Sequence, residues 1–174
     1  MMLPSASIVG TWGGILGVGA WFLWLGYTTA VDEVVWGTPT VIDADTLDVG
    51  DRRIRLFGVD APETRQACDL NGHKWQCGEH AALELTVWLH ERTVFCRRKG
   101  PDSYGRMVAA CNRGISDVGG WLVSNGWAVA ATKYSMSYVS QENEAKTLNA
   151  GIWKSTFFMP WDWRKGARLE IEKS

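Results

Sequence analysis

The sequence predicts an α+β fold: a small β-barrel with helices, preceded by one N-terminal hydrophobic helix. Three observations carry this expectation. Residues 38–43, 46–49 and 53–57 are short runs rich in β-branched or alternating apolar residues, separated only by tight turns. Two further strand-like runs, 93–96 and 107–111, flank a polar loop that contains Gly and Pro. Helical spacing falls at 77–91, 117–124 and 139–149, so most strands precede the last two helices. That order favours a barrel over an alternating βαβ sheet. At 174 residues, 46% hydrophobic and 21% charged, the chain is long enough for one domain with its own core and is neither disordered nor fibrous.

The N-terminal helix is expected from residues 8–26, which carry no charge and little polarity beyond Thr11. With Tyr27 the run reaches about 20 residues, enough to cross ~30 Å of hydrocarbon. It is apolar on every face, which fits a membrane segment better than a helix on a soluble core. A secretory signal has a basic n-region and a shorter apolar run. Here all 18 Lys and Arg lie beyond Asp32 and Glu33. An uncleaved anchor is therefore the expectation, and Thr28-Thr29-Ala30 supplies the alternative, a signal cleaved near Ala30. The expected division is 1–31, transmembrane anchor or signal segment, and 32–174, the folded domain with a Trp-rich tail. Neither flank is basic, so charge does not set the orientation.

Within the domain, 32–39 reads as a connector and 38–43 as the first strand. Leu47 and Val49 share one face of the second strand, and Gly50-Asp51 makes the turn. In the third, Ile54 and Leu56 point one way and Arg53, Arg55 and Phe57 the other. Gly58 and Pro62 end regular pairing, and 66–75 reads as a polar loop. Asp117 is placed to cap the second helix, Asn125-Gly126 to end it, and Gly151 to stop the third. The tail is aromatic over 152–164 and charged over 165–174.

Four cysteines behind an export segment imply two disulfides and an extracytoplasmic domain. The domain would be held by a single pass in the cell membrane, or secreted after cleavage. Antiparallel pairing of the 93–96 and 107–111 runs brings Cys96 opposite Cys111, which leaves Cys68 for Cys77. The alternative, a zinc site from Cys68, His73, Cys77 and His80, fits no standard finger spacing.

Net charge is −1, which excludes a chain-wide basic field for non-specific nucleic-acid binding. Any anionic substrate must be met locally. Asp45 leaves the first strand and Asp60 the third, so both carboxylates converge if those strands are neighbours. With Glu63 and the in-strand Arg55, they form either a hard-oxygen cation site or an ion pair bracing the barrel end.

The segments Val41-Ile42-Asp43-Ala44-Asp45-Thr46 and Ile54-Arg55-Leu56-Phe57-Gly58-Val59-Asp60-Ala61-Pro62-Glu63 resemble the thermonuclease (staphylococcal nuclease-like) family. Asp102-Ser103-Tyr104-Gly105-Arg106 resembles its second arginine motif, and Gly126-Trp127-Ala128 and Gly151-Ile152-Trp153 its C-terminal landmarks. The resemblance covers 38–153 and leaves out Pro160-Trp161-Asp162-Trp163-Arg164.

The resemblance implies a five-stranded oligonucleotide-binding barrel with three helices and Ca²⁺-dependent phosphodiester hydrolysis in DNA or RNA, another divalent cation being a variant of the same reading. It implies Asp45, Asp60 and the Ala61 backbone carbonyl as metal ligands, with Asp43 near the metal. Glu63 becomes the general base or water-orienting group, and Arg55 and Arg106 bind phosphate. Tyr104 and Tyr134 are weaker, substrate-contacting candidates. Ala44 stands where the family commonly has Gly. Arg97, Arg98 and Lys99, with Arg52 and Arg53, are the best local phosphate track, or equally a solvated hairpin. Competing readings are an inactive nucleic-acid-binding barrel and a membrane-anchored interaction protein using Trp161 and Trp163. No obligate protein partner is evident.

Overall fold

The alternation of buried and exposed positions produces a sheet whose two ends come from one stretch of chain. In the computed structural model, which describes residues 33–173, strands β1 (Val34–Gly37) and β2 (Pro39–Asp43) are consecutive. They are followed by β3 (Thr46–Val49), β4 (Arg52–Leu56) and β5 (Val59–Asp60). A small hairpin, β6 (Cys68–Leu70) and β7 (His73–Trp75), leads into helix α1 (Cys77–Leu89). Then come β8 (Val94–Pro101), β9 (Met107–Arg113), β10 (Ser116–Asp117) and α2 (Val118–Ser124). The remainder is β11 (Val129–Ala130), α3 (Val139–Thr147) and α4 (Pro160–Arg164), with 3₁₀ turns at Gly151–Lys154 and Glu170–Glu172.

The main sheet runs β1-β8-β9-β4-β3-β2, with β10 added to β9. Since β1 and β2 are one run bent at Thr38, the chain closes the sheet into a barrel of five runs, and neither end is left as a long free edge. All main-sheet pairs are antiparallel except β4 with β9. The inward positions Leu47, Val49, Ile54, Leu56, Val94 and Ala109 are buried, and Leu85 of α1 and Leu122 of α2 join the same core. The glycines of the two C-terminal landmarks lie back to back. Gly126 and Gly151 have φ of +70° and +52°, and a Cβ on either would overlap the other's neighbouring backbone. Ile152 N–H donates to the Gly126 carbonyl at 2.9 Å across that contact.

Several sequence expectations are corrected. The 32–39 connector contains strand β1, because Val34–Gly37 registers against Val94–Arg97 of β8. The polar loop 66–75 contains the β6–β7 hairpin, and Gln66 at its start is fully buried. The third strand is shifted by one residue, to Arg52–Leu56, and α1 and α3 end earlier than expected. Glu91 and Asn149 have φ of 54° and 51°, a left-handed turn that stops each helix nearby.

The disulfides are Cys68–Cys77 and Cys96–Cys111. The second joins directly opposed residues of β8 and β9. The first consumes both thiols of the alternative zinc arrangement. Among the described residues no helix is long and apolar enough to cross a membrane. The expected anchor at 8–27 and the cleavage site near Ala30 lie outside the described residues.

Candidate active site

The turn between β2 and β3 is built by its own acids. Asp43 Oδ1 accepts the Asp45 N–H at 3.0 Å, which closes an Asx-type turn and aims the Asp45 side chain inward. Asp43 therefore shapes the turn. Ala44 within it is fully buried, and its φ is not positive, so this chain needs no glycine there.

Asp45 is only 2% exposed, and such a carboxylate must be paired. Its Oδ1 accepts the Thr46 hydroxyl at 3.2 Å and pairs with the Arg55 guanidinium. Its Oδ2 accepts the Ala61 N–H at 2.8 Å, which ties the segment after β5 to the β2–β3 turn. Thr46 and Arg55 are direct cross-strand partners in β3 and β4. The other arm of Arg55 donates to Asp60 Oδ1 at 2.7 Å. One guanidinium thus bridges the two buried carboxylates; the first and third expected strands, β2 and β4, are not neighbours but flank β3, so the acids meet through Arg55 and not through strand adjacency.

Glu63 is held beside this cluster by tertiary contacts. Gln66 accepts the Glu63 N–H at 3.3 Å through its side-chain oxygen and donates to the Phe158 carbonyl at 2.6 Å. Gly78, in the first turn of α1, lies so close to the Glu63 carbonyl that a Cβ there would overlap it. The Cys68–Cys77 bond closes the loop that follows.

Arg106 comes from the β8–β9 loop, where Asp102 accepts its N–H at 2.8 Å, its Nε at 2.5 Å and the Tyr104 N–H at 2.9 Å. Burial alone would raise the Asp102 pKa. The Arg106 guanidinium and the two N–H donors outweigh it and hold the carboxyl below its ordinary value. Arg106 also reaches Thr46 Oγ1 at 3.5 Å, so the second arginine arrives at the acid cluster through the hydroxyl that bonds Asp45. Tyr104 is exposed under Arg106, 5.6 Å from ring centroid to guanidinium. Tyr134 is also exposed, with Lys133 over its ring, and no described hydrogen bond joins it to the acids.

A third arginine completes the cluster. Arg164, at the end of α4, donates to both oxygens of Asp60 at 3.0 and 2.7 Å and to Glu63 Oε1 at 2.7 Å. Its pKa is raised, first by the bonds to Asp60 and then, against burial, by the bond to Glu63. Thr46, Gln66, Gly78 and Arg164 were not singled out from the sequence. Thr46 closes the first family motif and Arg164 closes an aromatic motif in the tail, but neither motif pointed to the contact that the side chain makes.

The candidate phosphate track is largely engaged. Arg98 and Arg52 pair with Glu33 at 2.8 and 3.2 Å, and Arg53 pairs with Asp48 at 2.8 Å. These pairs brace the β1, β4 and β8 surface. They also line, with Tyr104 and Arg106, a cleft of about 370 Å³.

The donor set has the chemistry of a hard-cation site. Asp43, Asp45, Asp60, Glu63 and Asp102 carry five negative charges against three positive ones on Arg55, Arg106 and Arg164, a formal balance of −2. The buried carboxylates offer oxygen only, as Ca²⁺ prefers. Among the described residues no three His, Cys, Asp or Glu side chains converge as a ready-made cage. Two carboxylates with backbone and water oxygens remain a sufficient set, so the residues fit a divalent cation.

Comparison with known proteins decides the family. The model described as staphylococcal nuclease homologue matches residues 53–155. The chain belongs to the staphylococcal nuclease homologue family. The chain is 39% identical over 127 residues to the succinoglycan biosynthesis protein ExoI of Rhizobium meliloti, covering 71% of this chain and 66% of that one. It is 30% identical over 143 residues to protein ParB of Escherichia coli, covering 72% and 76%. It is 28% identical over 146 residues to the micrococcal nuclease of Shigella flexneri, covering 74% and 79%. The family match stops short of Arg164, so that residue's position in the cluster is known from the fold alone.

Proposed function

We propose that this staphylococcal nuclease homologue hydrolyses phosphodiester bonds of DNA or RNA with Ca²⁺ or a similar divalent cation. The observation carrying this reading is the convergence of Asp45, Asp60, Glu63, Arg55 and Arg106 at one barrel end. Asp45, Asp60 and the Ala61 carbonyl would hold the cation, which supplies Lewis-acid polarisation and charge neutralisation when bound. Glu63 takes the proton of the attacking water, a contribution of ~10²–10⁴-fold for a well-placed base. Arg55 and Arg106 offer planar forks to the equatorial oxygens of the five-coordinate transition state. Thr46 keeps Arg106 in register with Asp45, and Asp102 fixes the guanidinium before substrate arrives, so little ordering remains for the reaction step. The cleft beside Tyr104 and Arg106 is the substrate path this geometry supports.

The presence of all five residues, Asp45, Asp60, Glu63, Arg55 and Arg106, disfavours an inactive binding module, while their mutual ion pairs also brace the barrel end. For an interaction surface built on the tail tryptophans, Trp161 is exposed as that reading expects, but Trp163 is engaged within the tail, its Nε1 donating to Glu172 at 2.9 Å while Arg168 covers its ring. We further propose that residues 8–27 hold the enzyme at the cell membrane, its domain on the extracytoplasmic side. The two disulfides support that side, since they persist in oxidising compartments. The test is digestion of DNA and RNA substrates by the full chain with Ca²⁺ and with chelator. Cleavage abolished by chelator is expected, and no chelator-sensitive cleavage of either polymer would refute the reading.

A further inference from the structure

We infer that Arg164 is an internal competitor of the catalytic cation: the C-terminal tail supplies a guanidinium that occupies Asp60 and Glu63 and must yield Asp60 before a cation binds. The inference rests on the proposed cation site and extends it to a segment beyond the family match.

Asp60 has two oxygens, and Arg164 takes both, Oδ1 at 3.0 Å and Oδ2 at 2.7 Å. Arg55 shares only the first, at 2.7 Å. Oδ2 therefore has Arg164 as its partner, and a cation coordinating Asp60 there meets that guanidinium first. The same Nη1 also holds Glu63 Oε1 at 2.7 Å, so one side chain neutralises both a proposed metal ligand and the proposed base. The fork geometry suits this double grip, which a lysine ammonium cannot reproduce.

The tail is built to deliver it. Pro160 is buried at the start of α4, and Gln66 fastens the preceding Phe158 carbonyl to the Glu63 loop at 2.6 Å. An isolated bridge joins Thr156 to Asp69, and Glu172 ties Trp163 and the Ala67 N–H together at 2.9 and 3.1 Å. The backbone of α4 is therefore anchored on both sides of Arg164, while its side chain is 42% exposed and has room to swing outward. Asp60 is buried while Arg164 is half-exposed, so withdrawal of the guanidinium leaves a buried carboxylate that needs a cation in its place. The tail thus keeps metal ligand and base neutralised until a cation is present.

The test measures cation binding without nucleic acid. The full chain, held in detergent and stripped of metal, is titrated calorimetrically with Ca²⁺ beside Arg164→Gln, Arg164→Lys and Asp60→Asn. Removing the competing bonds tightens Ca²⁺ binding in Arg164→Gln by roughly tenfold. Arg164→Lys keeps the charge, loses the double grip and tightens binding by a smaller factor. It also carries the test if the glutamine variant does not fold. Unchanged or weakened affinity in a folded Arg164 variant overturns the inference. Asp60→Asn distinguishes loss of the cation site from loss of the competitor role. If it binds Ca²⁺ like wild type, the proposed cation site fails and this inference with it. If it loses binding while Arg164 variants match wild type, only the competitor role fails.

Discussion

Gln66→Leu is the perturbation that best exposes how the site is held. Gln66 is 0% exposed and nearly isosteric with leucine, so the change removes polarity with little loss of volume. It strands the Glu63 N–H, whose bond at 3.3 Å is weak, and the Phe158 carbonyl, whose bond at 2.6 Å is strong. An unsatisfied buried group costs about 1–3 kcal/mol; both bonds are only part-buried, so each loss sits at or below the low end and together they give about 1–2 kcal/mol. Urea unfolding at constant slope measures that loss. The same substitution frees the segment carrying Glu63, and a misplacement of about 1 Å at a reacting group costs on the order of 10²-fold in rate. Oligonucleotide cleavage by the folded fraction measures it. A stability change below about 0.5 kcal/mol with unchanged cleavage would show that Gln66 supports neither the loop nor the tail.

Other predictions probe separate parts of the molecule. Arg106→Lys loses the fork and the Asp102 clamp and lowers kcat/KM by about 10–100-fold in steady-state cleavage, with little effect on the melting temperature. Tyr138 donates to Asp117 at 2.9 Å, and its pKa is raised by burial first and then by that carboxylate. Its stabilising contribution is fully present below the unfolded phenol value of about 10 and declines as pH rises above it, so phenolate absorbance from Tyr138 should appear only with unfolding. Removing Cys96–Cys111, which spans 15 residues, costs about 3 kcal/mol, and removing Cys68–Cys77, which spans 9, about 2.6 kcal/mol by loop entropy. Only the second also lowers cleavage, because it staples the segment between Glu63 and α1. Denaturant melts and rates of the two double-alanine variants check both halves.

The parts of this protein legible in its sequence are those fixed by local pattern. Period-two burial in Leu47–Val49 and Ile54–Leu56, the Asp117 cap and the glycine stops depend on neighbours a few residues away. Asp45, Asp60, Glu63 and Arg55 were legible because charge on short strand ends needs a partner, and the family motif named one. Strand β1 was not, because Gly37 and Pro39 interrupt a run whose partner, β8, lies far along the chain. Gln66 read as loop polarity because burial of an amide is decided by Phe158, which only the tertiary fold supplies. Arg164 was hidden for the same reason, being separated from Asp60 by 104 residues and placed in an aromatic tail with no local acid motif to pair it. Arg52, Arg53 and Arg98 read equally as a phosphate track or a solvated hairpin in the sequence, and their pairing with Glu33 and Asp48 agrees with the second.

In the proposed reaction Glu63 activates water at a site where Asp45 and Asp60 hold the cation and Arg55 and Arg106 the phosphate. Single-turnover cleavage of one labelled oligonucleotide by wild type and Glu63→Gln, both saturated with Ca²⁺, tests it most directly. The expected result for Glu63→Gln is a rate lowered by at least ~10²-fold with oligonucleotide affinity and melting temperature unchanged. Cleavage by Glu63→Gln at the wild-type rate would contradict it.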